Sequence, residues 1–184
     1  MTQRTKLIAS LAMSLIMASC SSSDGGLPRL ELAAPGAYRL GPGDELRVSV
    51  FGLDAMTNSY AVDDTGAVAL PIIGAVPVAG KTLREAESLI ADRVLARNLV
   101  IDPRVTAQVQ TYRPFFISGE VQKPGQYPYV PGMSLMTAVS IAGGYTFRAD
   151  TKQATITRTA RRGVATQDTP ILPGDAIIVR EGWF

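Results

Sequence analysis

The sequence predicts an α+β protein built from two small modules. Three observations favour this class: short runs in which apolar and polar residues alternate, two segments with the capping residues of helices, and two motifs that each occur twice. The chain has 184 residues and a single cysteine, so no internal disulfide can form and stability must come from packed apolar side chains.

The first module is predicted to begin with a turn over residues 41–44 and a strand over residues 46–50. A helix then begins at its N-cap Thr82, because Glu85 three residues later completes a capping box. Its apolar stripe contains Leu83, Ala86, Ile90 and Val94. Further strands are predicted over residues 67–70, 75–79 and 105–110.

The second module repeats this order of signals. A short helix is predicted over residues 134–142, where Gly143 and Gly144 end it. Strands are predicted over residues 115–118, 125–129, 154–159 and 176–180.

Two internal repeats connect the modules. Residues 78–89 and 130–141 share the pattern V-x-G-x-[ST]-L-x-x-A-x-S-[LI] and lie 52 positions apart. Pro42-Gly43-Asp44 recurs as Pro173-Gly174-Asp175, in which proline fixes its φ, glycine accepts a positive φ and aspartate can bond a nearby amide. We interpret the repeats as two ββα-type modules, although similar turn and helix signals could also coincide by chance.

The N-terminus has the pattern of an export signal. Arg4 and Lys6 precede an apolar run over residues 7–18 that is too short to span a bilayer, so residues 1–19 are predicted to be a signal peptide. Residues 17–20, Met-Ala-Ser-Cys, resemble the bacterial lipobox, which makes Cys20 the predicted lipid-attachment site. The alternative is an ordinary signal peptide that leaves Cys20 as a free thiol. Residues 20–36 are predicted to be a lipidated tether.

Charge excludes one class of partner. The chain has 18 basic and 16 acidic residues, and the two surplus cations lie in the predicted signal peptide. A neutral mature chain has no electrostatic footprint for nucleic acid.

Catalysis has little support in the residues. The chain contains no histidine, its cysteine is predicted to be acylated, and no serine has a lysine three residues later. The adjacent pair Asp63-Asp64 is interpreted as a turn, because neighbours on a strand point to opposite faces. The patterns of metal and cofactor sites are missing from the sequence, so we predict no enzyme, no metal and no cofactor.

A family resemblance covers nearly the whole mature chain. Residues 38–46, 64–74 and 78–82 resemble the polysaccharide biosynthesis/export domain of outer-membrane capsule and exopolysaccharide export lipoproteins. Segments 117–121, 123–127, 142–144 and 173–175 resemble the sugar-binding-like β-grasp module that follows it in that family. The resemblance implies an export domain over residues 37–112 and a β-grasp module over residues 113–184.

The resemblance also implies a function and partners. It suggests an oligomeric ring under the outer membrane that passes polysaccharide outward, fed by an inner-membrane polysaccharide co-polymerase. Ser21 after the cysteine favours the outer membrane by the same comparison. Longer family members add a C-terminal helix that lines a membrane pore, whereas this sequence ends at Trp183-Phe184. We therefore expect the lipid to be the only membrane contact and a separate outer-membrane protein to complete the passage.

Two other functions compete with this one. A periplasmic lipoprotein could bind glycan without forming a conduit, or it could be an enzyme that acts on polysaccharide, which composition disfavours. Candidate contacts are few, and each has a structural alternative. Arg158, Arg161 and Arg162 could touch an acidic polymer or form a solvated hairpin. Tyr127 and Tyr129 could stack on sugars, or pack in the core or against a subunit, and Trp183 and Phe184 could contact a subunit or partner.

Overall fold

The computed structural model describes residue 28 and residues 37–182. It has an α+β fold with two separate apolar cores, one on each side of Arg113. The first part of the chain contains β1 (Glu45–Val50), a 3-10 helix (Asp54–Met56), β2 (Asn58–Ala61), β3 (Ala67–Leu70), β4 (Gly74–Pro77), α1 (Leu83–Ala96) and β5 (Val105–Thr111). The second contains β6 (Phe115–Gly119), β7 (Gly125–Tyr127), α2 (Leu135–Ile141), β8 (Ala149–Arg158), β9 (Arg161–Thr166) and β10 (Ala176–Glu181).

The first core lies under an antiparallel sheet in the order β2-β1-β5, with the hairpin β3-β4 beside it. Because side chains alternate along β1, Leu46, Val48 and Val50 all point inward and are at most 1% exposed. Helix α1 packs on this core through Ala86, Ile90 and Val94, which are fully buried.

Local capping residues determine where both helices begin. The Thr82 hydroxyl accepts from the Glu85 amide, and the Glu85 carboxylate accepts from the Thr82 amide at 2.7 Å, so the predicted capping box is confirmed. Ser134 caps α2 in the same way, accepting from the amide of Thr137. The glycines that precede these caps, Gly80 and Gly132, both have positive φ. The first repeat therefore encodes one turn and one helix start, used twice.

The second core lies between α2 and a five-stranded sheet in the order β7-β6-β10-β8-β9. Strand β10 pairs in parallel with β6 and antiparallel with β8, which places the last strand at the centre of the sheet. Phe115 and Ile117 from β6 and Ile177 from β10 point towards α2 and are at most 2% exposed.

The structure corrects several strand predictions. Strand β7 ends at Tyr127, two residues earlier than predicted, because Pro128 has no amide to donate. Strand β8 begins at Ala149, five residues before the predicted start. Strands β2 and β9 and the 3-10 helix were not predicted. The turn before β9 uses Thr159 and Ala160, both with positive φ, rather than the glycine or asparagine that signals such a turn.

The ββα unit occurs once in each half, as β3-β4-α1 and as β6-β7-α2. The surroundings of the two units differ, because β3-β4 is a separate two-stranded sheet whereas β6-β7 belongs to the five-stranded sheet. Within the described ranges, no helix is both long and apolar enough to cross a membrane.

Candidate functional site at the domain junction

The two Pro-Gly-Asp motifs form the same turn. Gly43 and Gly174 have φ values of 90° and 84°, the left-handed region required of the third residue of a type II turn. In each turn the amide of the aspartate donates to the carbonyl three residues earlier at 3.1 Å. The carboxylate of the same aspartate accepts from that earlier residue's amide at 2.8 Å. Asp44 and Asp175 thus close their own turns.

Each aspartate is buried against an arginine. Asp44 and Asp175 are both 0% exposed. The Arg158 guanidinium donates to both carboxylate oxygens of Asp175, at 2.9 and 2.7 Å, and to the Pro170 carbonyl at 2.8 Å. This fork geometry is the strongest form of such a pair. It fixes the end of the β8-β9 hairpin to the turn that precedes β10.

Arg113 links the two turns to each other. Its backbone amide donates to Asp44 at 2.9 Å, and its guanidinium donates to the same carboxylate at 3.2 Å. Its Nε atom donates to the carbonyl of Pro173 in the second turn at 3.1 Å. The Arg113 side chain therefore connects Asp44 and Pro173, which lie near opposite ends of the described sequence.

Glycines leave the space that the arginine occupies. A Cβ atom at Gly41 would overlap Arg113 Nη1, and one at Gly174 would lie 2.9 Å from Arg113 Nε. The guanidinium thus lies directly against the backbone of both turns. A side chain on either turn would displace it.

Three tyrosine rings extend the junction. Tyr112 makes edge contacts with Tyr38 and with Tyr129, with ring centroids 5.0 and 5.5 Å apart. The Tyr38 hydroxyl donates to Asp44 at 2.6 Å, and the Arg113 guanidinium lies 5.8 Å from the Tyr38 ring centroid. Burial, followed by the hydrogen bond to Asp44, raises the pKa of Tyr38 above its ordinary value. The phenol therefore stays neutral and keeps its donated bond.

The chemistry of this site is structural. Asp44 accepts four hydrogen bonds and Asp175 three, and both are buried, so their carboxylates serve to hold amide, phenol and guanidinium donors rather than to act as bases. Across the described residues, no three histidine, cysteine, aspartate or glutamate side chains lie close enough to hold a metal ion. What the arrangement can do is hold two small domains in one orientation.

The predicted basic run divides between two environments. Arg161 and Arg162 are exposed on the β8-β9 hairpin, as the solvated-hairpin alternative required. Arg158 does not belong with them, because its side chain is only 20% exposed and is paired with Asp175. The prediction of a uniform solvated run is wrong for this residue.

The candidate sugar-stacking tyrosines pack internally. Tyr127 stacks on Phe115 with ring centroids 5.9 Å apart, and its hydroxyl donates to the Lys123 carbonyl at 2.6 Å. Tyr129 lies beyond the end of β7, against Tyr112. The internal-packing alternative is therefore confirmed for both rings.

Asp63 forms the turn that was predicted for the acidic pair. Its carboxylate accepts from the amides of Thr65 and Ala67, both at 2.9 Å, and from the Thr65 hydroxyl. These bonds, the hydroxyl first, lower the pKa of Asp63. Cys20, Trp183 and Phe184 lie outside the described residues.

Arg113 was not identified from the sequence. It stands alone between two predicted strands, and its partner Pro173 lies 60 positions away. The only signal in the sequence was indirect. The Pro-Gly-Asp motif occurs twice, and if each aspartate is buried, a cation is expected beside each. Arg113 and Arg158 are those cations.

Removing the guanidinium should uncouple the junction. We expect Arg113→Met to lower the free energy of unfolding by roughly 2–3 kcal/mol, because the buried Asp44 charge loses its cation while keeping its other donors. Arg161→Met, at the exposed hairpin, is the matched control and should change stability by less than about 0.5 kcal/mol. Urea denaturation measures both, and equal effects would contradict the assigned role of Arg113.

Gly174→Ala tests the space that the turn leaves for the Arg113 side chain, separately from the charge of Arg113. Gly174 and Gly132 have nearly equal positive φ, 84° and 82°, but a Cβ atom at Gly132 meets nothing within 4 Å. In both alanine variants, backbone strain should lower the free energy of unfolding by about 1–2 kcal/mol. Gly174→Ala should cost about 1 kcal/mol more, because it also displaces Arg113 from Pro173. Equal decreases in melting temperature for the two variants would show that the close contact between Gly174 and Arg113 does not stabilise the protein.

Comparison with known proteins assigns the two domains to families. Residues 32–110 match the family model of the polysaccharide biosynthesis/export protein, and residues 114–169 match the SLBB domain. Arg113 falls between the two matched ranges.

The chain is also similar to curated proteins that are named for exopolysaccharide production and for polysialic acid transport. The chain is 32% identical over 160 residues to the exopolysaccharide production protein ExoF of Rhizobium meliloti, covering 81% of this chain and 37% of that protein. It is 30% and 29% identical over 109 residues to two polysialic acid transport proteins KpsD of Escherichia coli, covering 58% of this chain and 19% of each. The chain thus spans little more than a third of the length of the longest-matching of these relatives.

The matched families agree with the prediction that the chain is not an enzyme, since the first family model is that of an export protein. The two models lie in tandem and together match most of the chain, in the order that the sequence resemblance implied. The chain belongs to the polysaccharide biosynthesis/export family, with an export domain followed by an SLBB domain.

Proposed function

We propose that this chain is a periplasmic component of a capsule or exopolysaccharide export machine, anchored in the outer membrane and assembled into an oligomeric conduit for polysaccharide. The tandem match to the export and SLBB families is the observation that carries the proposal. Relatives named for exopolysaccharide production and for polysialic acid transport support the substrate class.

The proposed anchor is an acylated Cys20. A signal-like segment ends on this residue, which is the only cysteine of the chain. Each buried methylene contributes about 0.8 kcal/mol to membrane binding, so more than one acyl chain holds a protein on a bilayer stably. Trp183 and Phe184 remain proposed contacts to a subunit or partner.

The domain junction suits a conduit wall. Arg113 and the two Pro-Gly-Asp turns connect the export domain to the SLBB domain by charge-assisted, partly buried hydrogen bonds in addition to the chain itself. A wall of repeated subunits closes only if every subunit presents its interfaces at the same angle. The junction would supply that constant angle.

Unpaired strand edges offer a route to self-association. In the described part of the chain, β2 and β5 end the first sheet, and β7 and β9 end the second. Such edges carry backbone groups that can pair with another chain. Two of these groups already have partners: the Ala107 amide on β5 donates to the Glu87 side chain at 2.8 Å, and the Val164 amide on β9 donates to the Pro28 carbonyl at 3.0 Å. A head-to-tail contact through the remaining edge groups would generate a ring if its rotation closes.

The outer face of the first sheet fits a polymer of hydroxyl groups. Ser49 on β1 and Thr106, Gln108 and Gln110 on β5 are exposed, with Arg47 among them. Hydroxyl and amide groups can donate and accept hydrogen bonds without the strong attraction of a charged surface. We propose that this face meets the moving polysaccharide.

The proposed partners lie in both membranes. An inner-membrane polysaccharide co-polymerase would deliver the polymer, and a separate outer-membrane protein would complete its passage. A strain that lacks this chain should therefore still synthesise polymer but fail to display it, and the unaltered gene supplied in trans should restore display. Loss of synthesis itself, measured by total cellular polysaccharide, would contradict an export role.

The oligomer is tested on the purified full-length lipoprotein in detergent. Light scattering should give a mass of several subunits at micromolar concentration, and negative-stain images should show rings. A monomer that still binds the polysaccharide would contradict the conduit and favour a glycan-binding lipoprotein instead.

A further inference from the structure

The most exposed large apolar side chains lie at the two ends of the molecule, away from the junction. Ile101, Phe147 and Phe51 are 98%, 87% and 75% exposed. Phe51 follows β1, which starts at the Asp44 turn, and its amide donates to the Arg104 carbonyl just before β5. Phe147 precedes β8, whose first residue pairs with the end of β10. These ends therefore belong to the export domain and to the SLBB domain respectively.

Phe147 is held out by a well-bonded turn. The Thr146 amide donates to the Glu120 carbonyl at 3.2 Å, and the Ala149 amide donates back to Thr146 at 3.3 Å. The Thr146 hydroxyl also bonds the Glu120 carboxylate. A backbone with so many partners leaves the ring little freedom to fold back onto the core. The exposure of this apolar ring is thus a fixed feature of the turn.

The cation next to Phe147 in the chain is paired with a carboxylate. Arg148 is the residue next to Phe147, and its Nε atom donates to Glu181 at 2.7 Å. The Gly182 amide donates to the Arg148 carbonyl at 2.7 Å, which holds the two strand ends together. The cation and the carboxylate therefore balance each other, whereas the nearby carboxylates of Glu120 and Asp150 give this end of the domain an acidic character.

One residue of the predicted tether bonds to this domain. The Val164 amide, on the outer edge of β9, donates to the carbonyl of Pro28 at 3.0 Å. Cys20 lies eight residues before Pro28, so it can be at most about 28 Å from this edge. Val164 pairs with Thr155 on β8, and Phe147 lies eight residues before Thr155, about 26 Å along the strand direction. An anchored Cys20 therefore allows Phe147 to reach the bilayer.

We propose that the Phe147 end of the SLBB domain is a second contact with the membrane that holds the Cys20 acyl chains, and that the ring of Phe147 enters the headgroup region. Aromatic rings favour that region of a bilayer. The contact directs the export domain away from the membrane. It rests on the proposed anchor and goes beyond the expectation that lipid is the only membrane contact.

Tryptophan fluorescence tests the contact on the full-length acylated protein in vesicles. Trp183 is the only tryptophan of the chain, so Trp183→Phe provides a silent background. Phe147→Trp in that background should show blue-shifted emission and strong quenching by brominated lipids. Phe51→Trp, at another strongly exposed position in the export domain, is the matched control and should show neither.

Every outcome decides the proposal. Quenching at position 147 alone supports the proposal. A second readout is the vesicle affinity of protein cleaved from its lipid, which Phe147→Ser should lower by roughly 10-fold or more, because burying a phenylalanine ring contributes about that much to binding. Equal quenching at both positions, or none, overturns it. A blue shift without quenching also overturns it, because the ring would then be buried against a second copy. Surface display of polymer is measured separately, so failure of the contact and failure of the export function are distinguishable.

Discussion

The hydrogen bonds of Arg113 are the interaction on which the rest of the structure depends. One guanidinium donates to the buried carboxylate of Asp44 in the export domain and to the carbonyl of Pro173 in the SLBB domain. Each domain alone is small, and domains of this size bury too little surface to be strongly stable. By contacting both turns, Arg113 makes the orientation of the second domain a consequence of the folding of the first.

The same turn chemistry serves a different purpose in each domain. Asp44 closes a turn at the junction and receives Arg113, whereas Asp175 closes its turn and receives Arg158 from within its own domain. The repeated turn therefore has two roles. The Asp44 turn couples the two domains, and the Asp175 turn joins the β8-β9 hairpin to the start of β10. In the proposed conduit, this rigidity would make the two domains a single element of the wall.

Features determined by near neighbours could be predicted from the sequence. The Thr82–Glu85 capping box and the Asp63 turn depend on residues within four positions of each other, and local pattern identified both. Features that depend on distant partners could not be predicted. The position of Arg113 against Pro173 and the burial of Arg158 against Asp175 arise only once two sheets are assembled. Strand β9 was missed for a local reason, because its turn lacks the usual residues.

Calorimetry of the full-length protein tests the central claim, that the junction makes two domains into one unit. If Arg113 couples the cores, heating gives a single transition whose calorimetric and van't Hoff enthalpies agree. Two separate transitions, or a van't Hoff enthalpy close to half of the calorimetric one, would show that the domains unfold independently and would contradict the account.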